Sequence, residues 1–283
     1  MAIVTGTRRR QVILNGLTHG GMILISALVI FPFLWMVSIS IRDNIEVFTT
    51  PIHWLPRIIT LDAYKEVLMS LQHRRALINS YIVALLTTLA SVSLAALAGY
   101  GYSRFDFPGK RVSLMVILSV QIVPPMLLAL PYFLLSVTYN IYDSYLALVV
   151  TYTSFSLPFA TLMLRSYFAT IPKELEEAAI VDGCSRLASL LKIILPVSLP
   201  GIIATAVYTF VLAWNELLFA LTLTEGWKRR TIPVSIGFLM GEFTSEWNQI
   251  MALSVMASVP IVLLFIFLQK HLIQGMTAGA MKG

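Results

Sequence analysis

Charge is scarce in this sequence: Asp, Glu, Lys and Arg make up 12% of its 283 residues while 58% are hydrophobic. Soluble domains carry about 25% charged residues, so an ordinary water-exposed surface is excluded. Cysteine occurs once, as Cys184, which rules out an internal disulfide framework. The four histidines are scattered and offer no metal-ligand spacing. No G-x-x-x-x-G-K-[ST] pattern is present, so ATP hydrolysis at a Walker A site is excluded for this chain. Internal repeats, low-complexity tracts and any convincing nucleophile or acid pair are also missing, which puts a membrane-embedded enzyme last among the possible classes.

What is abundant is uninterrupted apolar chain. Stretches free of Asp, Glu, Lys and Arg run over 11–41, 76–103, 112–142, 144–164, 193–215 and 247–269. Each exceeds the roughly 20 residues a helix needs to cross hydrocarbon. The expectation is an all-α, polytopic membrane protein with six transmembrane helices, both termini on one side. If that side is the cytoplasm, twelve of the twenty Lys and Arg lie at 8–10, 104–111, 165–192 and 270–282. The other eight fall in 42–75 and 228–230, among several acids. Basic residues near span ends are retained inside, so the bias predicts cytoplasmic N- and C-termini. The net charge of +6 is thus a topology signal, with no nucleic-acid footprint in it. The chain divides into cytoplasmic residues and a first, retained span at 1–41, an external loop at 42–75, a five-helix core at 76–270 and a cytoplasmic tail at 271–283.

A polar, helix-favouring interruption, KELEEAAIVDGCSRLASLLKIILP, separates the fourth and fifth runs. Pro172 suits a helix start, Glu174, Glu176 and Glu177 place negative charge in the positive first turn, and Gly183 ends the helix. Leu175, Ala178, Ala179 and Asp182 share one small, mostly apolar face; Glu174, Glu177 and Val181 share another. Ser185 is placed to cap a second helix, with Leu187, Leu190, Leu191 and Ile194 as its stripe and Pro196 as its stop.

The order Glu177-Ala178-Ala179, three residues, Gly183, nine residues, Ile193, one residue, Leu195-Pro196 resembles the EAA loop of membrane subunits of ATP-binding-cassette importers. The resemblance implies a MetI-like permease fold and a cytoplasmic loop whose short helix docks on an ATPase subunit. It assigns that coupling to Glu174, Glu177, Ala178, Ala179, Asp182 and Gly183. It also implies the partners: a second homologous permease, two ATPase subunits and an external solute-binding protein. No cofactor is expected in this chain, ATP and Mg being bound by the partner ATPases. Three further features resemble the carbohydrate, maltose-type subfamily: P-x-x-W-x-P followed by T-L-D-x-Y at 51–64, Phe107-Pro108-Gly109-Lys110, and the tail GMTAGAMKG. In that subfamily the external loop lies near the binding protein and the tail reaches into the ATPase dimer. The implied function is half of the path for a sugar, a di- or oligosaccharide or related carbohydrate, across a bacterial or archaeal cell membrane. The competing classes are an ATP-independent carrier or channel and an importer subunit for a non-sugar solute.

The remaining segments supply candidates for the path. In the first span Pro32 is placed to kink the helix, and Phe31, Phe33 and Trp35 read as an interfacial belt in lipid contact. The external loop reads as an ordered, hairpin-like turn followed by a short helix capped by Thr60. Ala95, Ala96, Ala98, Gly99 and Gly101 mark close helix packing. Gln121, Pro124, Pro125 and Pro131 require a bent third span, and freed carbonyls within a bilayer survive only against protein or a water-filled path. Thr151, Thr153, Ser154 and Ser156 of the fourth run either face that path or bond back to their own helix. Glu216 is read as an acid within the fifth span, about 28 Å from Val197 along a helix. It marks a pathway, a structural pair or a snorkelling side chain. Sugars are held by aromatic faces and hydrogen-bonding side chains, so Gln121, Tyr132, Tyr152, Asn215 and Glu216 form the candidate substrate set.

Overall fold

The computed structural model describes residues 2–241 and 246–280, with side chains for 14–241 and 246–270. Every regular element among them is helical: α1 (Ala2–Ser40), α2 (Asn44–Val47), α3 (Asp62–Met69), α4 (Leu71–Arg104), α5 (Lys110–Ser119), α6 (Pro125–Thr138), α7 (Tyr145–Phe168), α8 (Glu174–Val181), α9 (Arg186–Ser189), α10 (Leu195–Val197), α11 (Leu199–Trp214), α12 (Leu218–Leu223), α13 (Ile232–Gly241) and α14 (Trp247–Ala280). Four of these are long and apolar enough to cross a bilayer as single helices, and two bent pairs bring the number of candidate spans to six. The tail at 271–283 lies outside the described side chains, as does the basic cluster at 8–10.

The bends fall where backbone donors are lost. Lys110–Ile122 and Pro125–Thr138 meet at 97°, across Val123 and Pro124, as the consecutive prolines require. Arg186–Val197 and Leu199–Trp214 meet at 81°. The expected stop at Pro196 is therefore displaced: Pro196 sits inside α10, and the chain turns at Ser198, ahead of Pro200. Between α9 and α10 the chain takes a π-helical turn at Leu190–Ile194. Its predicted apolar stripe divides, with Leu190 and Ile194 buried and Leu187 and Leu191 exposed.

One structural unit comprises Met1–Met69 with Leu239–Met256. Its loop is ordered by Arg42, which in sequence is only one of the basic residues of 42–75. Arg42, 2% exposed, donates from Nη1 to His53 O at 2.6 Å and from Nη2 to Ser38 Oγ at 2.7 Å and Trp54 O at 2.8 Å. Its guanidinium also lies 5.2 Å over the Trp35 ring. Phe31 and Trp35 pack on Trp54, with ring centroids 6.2 and 5.5 Å apart, so these two aromatics hold the loop rather than serving lipid alone. Leu61 rather than Thr60 holds the N-cap position of α3, since it accepts the first helical bond from Lys65 N; Thr60 Oγ1, one residue earlier, accepts from Asp62 N at 3.4 Å.

The second unit comprises Ser70–Phe238 with Ala257–Gly283 and is built on α4 and α7. Ala95, Ala96 and Gly99 are buried at their contact, whereas Gly101 meets nothing nearby. A Cβ on Gly99 would lie 2.9 Å from Arg165 N, which fixes this helix approach to glycine. Ser156 bonds its own Tyr152 O and lies 2.5 Å from Ser91 Oγ, so it seals the α4–α7 seam. Asn79 of α4 donates to Lys228 O and Arg230 O at 3.0 and 2.7 Å and accepts from Tyr145 Oη at 2.7 Å. That network anchors the basic segment 228–230. In the 104–111 turn, a hydrogen bond from Lys110 holds the exposed Asp106 carboxyl below the ordinary carboxylate range.

Candidate coupling loop and substrate cavity

The polar loop folds as two short helices around a glycine, for local reasons. Gly183 has φ +88°, a left-handed conformation that side chains resist. Cys184 N bonds Ala179 O at 2.9 Å and Gly183 N bonds Ile180 O at 3.0 Å, the paired bonds of a Schellman C-cap. Ser185 then caps α9 by accepting from Ala188 N at 3.2 Å, as its sequence predicts. The N-terminal side differs from expectation, since Lys173 is the cap residue, without a side-chain cap bond.

Burial sorts the residues of α8 in a way the helical period alone does not. Glu174, Glu177, Ala178, Asp182 and Gly183 are exposed, and Val181 is 86% exposed. Ala179, which the resemblance assigns to ATPase coupling, is buried instead and packs inward. Glu176, read from sequence only as a first-turn charge, is buried with it three residues away on the same side. Its Oε2 lies 3.0 Å from Arg104 Nε, and its Oε1 accepts from Tyr100 Oη. Arg104 Nη2 also donates to Ile171 O at 3.1 Å.

The candidate path residues do not form one set. A cavity of about 320 Å³ is lined by Gln121, Tyr152 and Glu216 together with Pro125, Phe155, Tyr208, Leu212 and Phe219. That volume is at the lower end of the range for small-molecule sites. Tyr132 stands behind it: its hydroxyl is 2.6 Å from Ser154 Oγ and its ring packs on Phe155 and Phe219 at 5.8 and 5.6 Å. Asn215 is exposed and bonds back to Val211 O at 2.8 Å, outside the cavity. Thr153 and Ser154 do not line it either.

Glu216 is neither free nor snorkelling. Beyond the end of α11 its Oε1 accepts from Phe219 N at 2.8 Å and its Oε2 from Ala220 N at 3.0 Å. The carboxylate thus satisfies two donors that α12 leaves unpaired at its start, while its side chain borders the cavity. Tyr152 is fully buried, and its hydroxyl has no hydrogen-bond partner among the described residues, while the residue lines the cavity together with Glu216. Phe155 and Phe219 stack at 4.8 Å and form the aromatic wall. Tyr208 joins them; a tyrosine one turn before Leu212 on α11 is the signal that could have found it. Among the described residues no three His, Cys, Asp or Glu side chains converge where a metal could be held.

The chain is similar to known proteins over most of its length. Residues 91–278 match the family described as binding-protein-dependent transport system inner membrane component. The trehalose/maltose transport system permease protein of Thermococcus litoralis is 36% identical, over 97% of this chain and 99% of that one. The sulfoquinovosyl glycerol transport system permease protein of Agrobacterium fabrum is also 36% identical, over 90% of this chain and 89% of that one. Among solved structures, a bacterial transporter importing the acidic polysaccharide alginate has a chain that superposes with a TM-score of 0.77 at 20% identity, covering 91% of this chain and 96% of that one. A second, of the alginate transporter with a pentasaccharide-bound periplasmic protein, superposes with a TM-score of 0.65 at 14% identity, over 89% and 92%.

Proposed function

We propose that this chain, which belongs to the family of binding-protein-dependent transport system inner membrane components, forms half of the path by which an ATP-driven importer moves a carbohydrate into the cell. As a member of that family it is a multi-pass permease of the inner (cytoplasmic) membrane with a MetI-like fold. It is the transport component and not the ATPase. An ATP-independent carrier is set aside on the same ground.

The observation that carries the coupling half of this reading is the exposed α8 with its Schellman stop. Glu174, Glu177, Ala178, Val181, Asp182 and Gly183 stand outward on a helix held rigidly from behind. A short helix so presented suits docking in a cleft of an ATPase subunit, where ATP and Mg are bound. Two such subunits, a second homologous permease and an external solute-binding protein complete the complex. N- and C-termini then lie inside, with 228–230 outside.

For the substrate, support comes from the sugars in the names of the relatives and from the chemistry of the cavity. Tyr152, Phe155, Tyr208 and Phe219 offer ring faces, and Gln121 and Glu216 offer polar groups, the combination that holds a sugar's C–H and O–H surfaces. The test is ATPase stimulation of the assembled complex by its binding protein loaded from a panel of di- and oligosaccharides. Stimulation and uptake with a carbohydrate are expected. Stimulation by a non-sugar solute alone would reassign the substrate and leave the importer intact.

A further inference from the structure

The ion pair between Arg104 and Glu176 has side chains only 4% and 8% exposed. Buried charges are tolerated where the geometry is good and the remaining polar atoms are satisfied. Tyr100 satisfies Glu176 Oε1 and Ile171 O accepts from Arg104 Nη2, while Arg104 Nε keeps only its ion-pair contact with Glu176 Oε2. The cluster therefore ties three segments together: the last turn of α4, the turn after α7, and the first turn of α8. Its surroundings are closed as well. Phe105 stands edge-on to Tyr100 at 5.8 Å, and Arg186, which opens α9, lies 4.8 Å over the Phe105 ring. Leu164, Phe168, Ile171, Leu190 and Ile194 form the apolar core beside it.

The chain leads from the loop into α7 and α11, yet the charged link goes to α4, with 76 positions separating Tyr100 from Glu176. We propose that Glu176, Arg104 and Tyr100 act as a pin that delivers displacement of α8 to α4, making the second span a direct receiver of the ATPase stroke. The proposal rests on α8 being the ATPase-docking helix. A buried ion pair whose members are each held by a further hydrogen bond, Glu176 from Tyr100 and Arg104 to Ile171 O, resists relative displacement, whereas apolar side chains can slide past one another. From α4 the path continues without a flexible joint. Gly99 places α4 against the Arg165 backbone of α7, and α7 carries Tyr152 and Phe155 of the cavity wall. These three are positioning residues, since the pair is turned away from the exposed face of α8.

Glu176→Gln keeps the shape and the acceptor for Tyr100 while removing the charge opposite Arg104. In the complex reconstituted with its ATPases and binding protein, the ATPase subunits are expected to co-purify with this variant. Solute moved per ATP should fall about tenfold, within the range by which residues along a coupling network change it. Glu176→Asp, which retains the charge, should recover part of that ratio. In a Cys184→Ser background, Arg104→Cys with Glu176→Cys should be uncoupled when reduced and regain transport when a short bifunctional reagent joins the two thiols. A normal transport-to-ATP ratio in the Glu176→Gln complex overturns the proposal, and so does a cross-linked pair that stays uncoupled. Loss of the ATPase subunits from Glu176→Gln also overturns it, because the pair would then only maintain the fold of the loop. Failure of the docking reading itself is seen separately, as Glu177→Lys retaining its ATPase subunits.

Discussion

Glu216 accepts the backbone N–H of Phe219 at 2.8 Å, so the acid at the end of the fifth run is a helix cap as well as part of a cavity wall. Both roles make Glu216→Ala costly. The lost cap is worth about 1 kcal/mol by comparison with other capping residues. Transport is expected to fall while the complex still assembles and retains basal ATP hydrolysis, and Glu216→Gln should lie between wild type and alanine. Uptake into vesicles, normalised to complex yield, checks this. Normal transport by Glu216→Ala would remove the carboxylate from the path.

The two adjacent alanines of α8 should respond oppositely. Ala178→Trp adds bulk on the exposed side and should abolish ATPase association without lowering thermal stability. Ala179→Leu forces side-chain volume into a buried position and should destabilise the chain by about 1–3 kcal/mol. Gly183→Pro removes the donor to Ile180 O and the left-handed turn, and should leave the protein inserted but without transport or bound ATPase. Co-purification and melting curves separate the three variants.

Arg42 holds the external loop through the carbonyls of His53 and Trp54. Arg42→Met keeps apolar contact with Trp35 but orphans those acceptors. Hydrogen bonds to a charged group contribute about 1.5–3 kcal/mol each. The loop between α2 and α3 should become sensitive to protease added from outside, while insertion of the spans is unaffected. Unchanged protease resistance would show that the aromatic contacts with Phe31 and Trp35 suffice.

Topology is testable with single cysteines in a Cys184→Ser background. Lys228 and Lys173 are both exposed, so accessibility differs only by side of the membrane. Lys228→Cys is expected to react with an impermeant thiol reagent in intact cells, and Lys173→Cys only after permeabilisation. The opposite pattern would invert the orientation drawn from the basic residues.

Much of the architecture is written locally. Six charge-free runs, a glycine three residues after Ile180, a serine at the head of α9 and consecutive prolines in the third run each specify a span, a stop, a start or a bend through forces acting within a few residues. The turn at Ser198 was less legible, because a proline two or three residues into a helix can be accommodated and Pro196 and Pro200 are equivalent as local signals. Chemical type singles out the candidate path residues in the sequence, and type does not reveal direction. Gln121, Tyr152 and Glu216 meet at one cavity, while Tyr132 supports its wall and Asn215 is exposed outside it.

The sequence by itself determined that this is a multi-pass α-helical chain carrying an EAA loop, because hydrophobic run length, charge placement and backbone conformational preference are properties of contiguous residues. The tertiary structure alone decided between Glu176 and Glu177. They are neighbours of identical chemistry in one helical turn, yet the first is enclosed by Arg104 and Tyr100 from α4 and the second is exposed. It likewise made Arg42 a buried loop anchor and Glu216 a cap. Burial and partnership depend on segments far away in sequence, and no periodicity within a helix specifies what will stand against each of its faces.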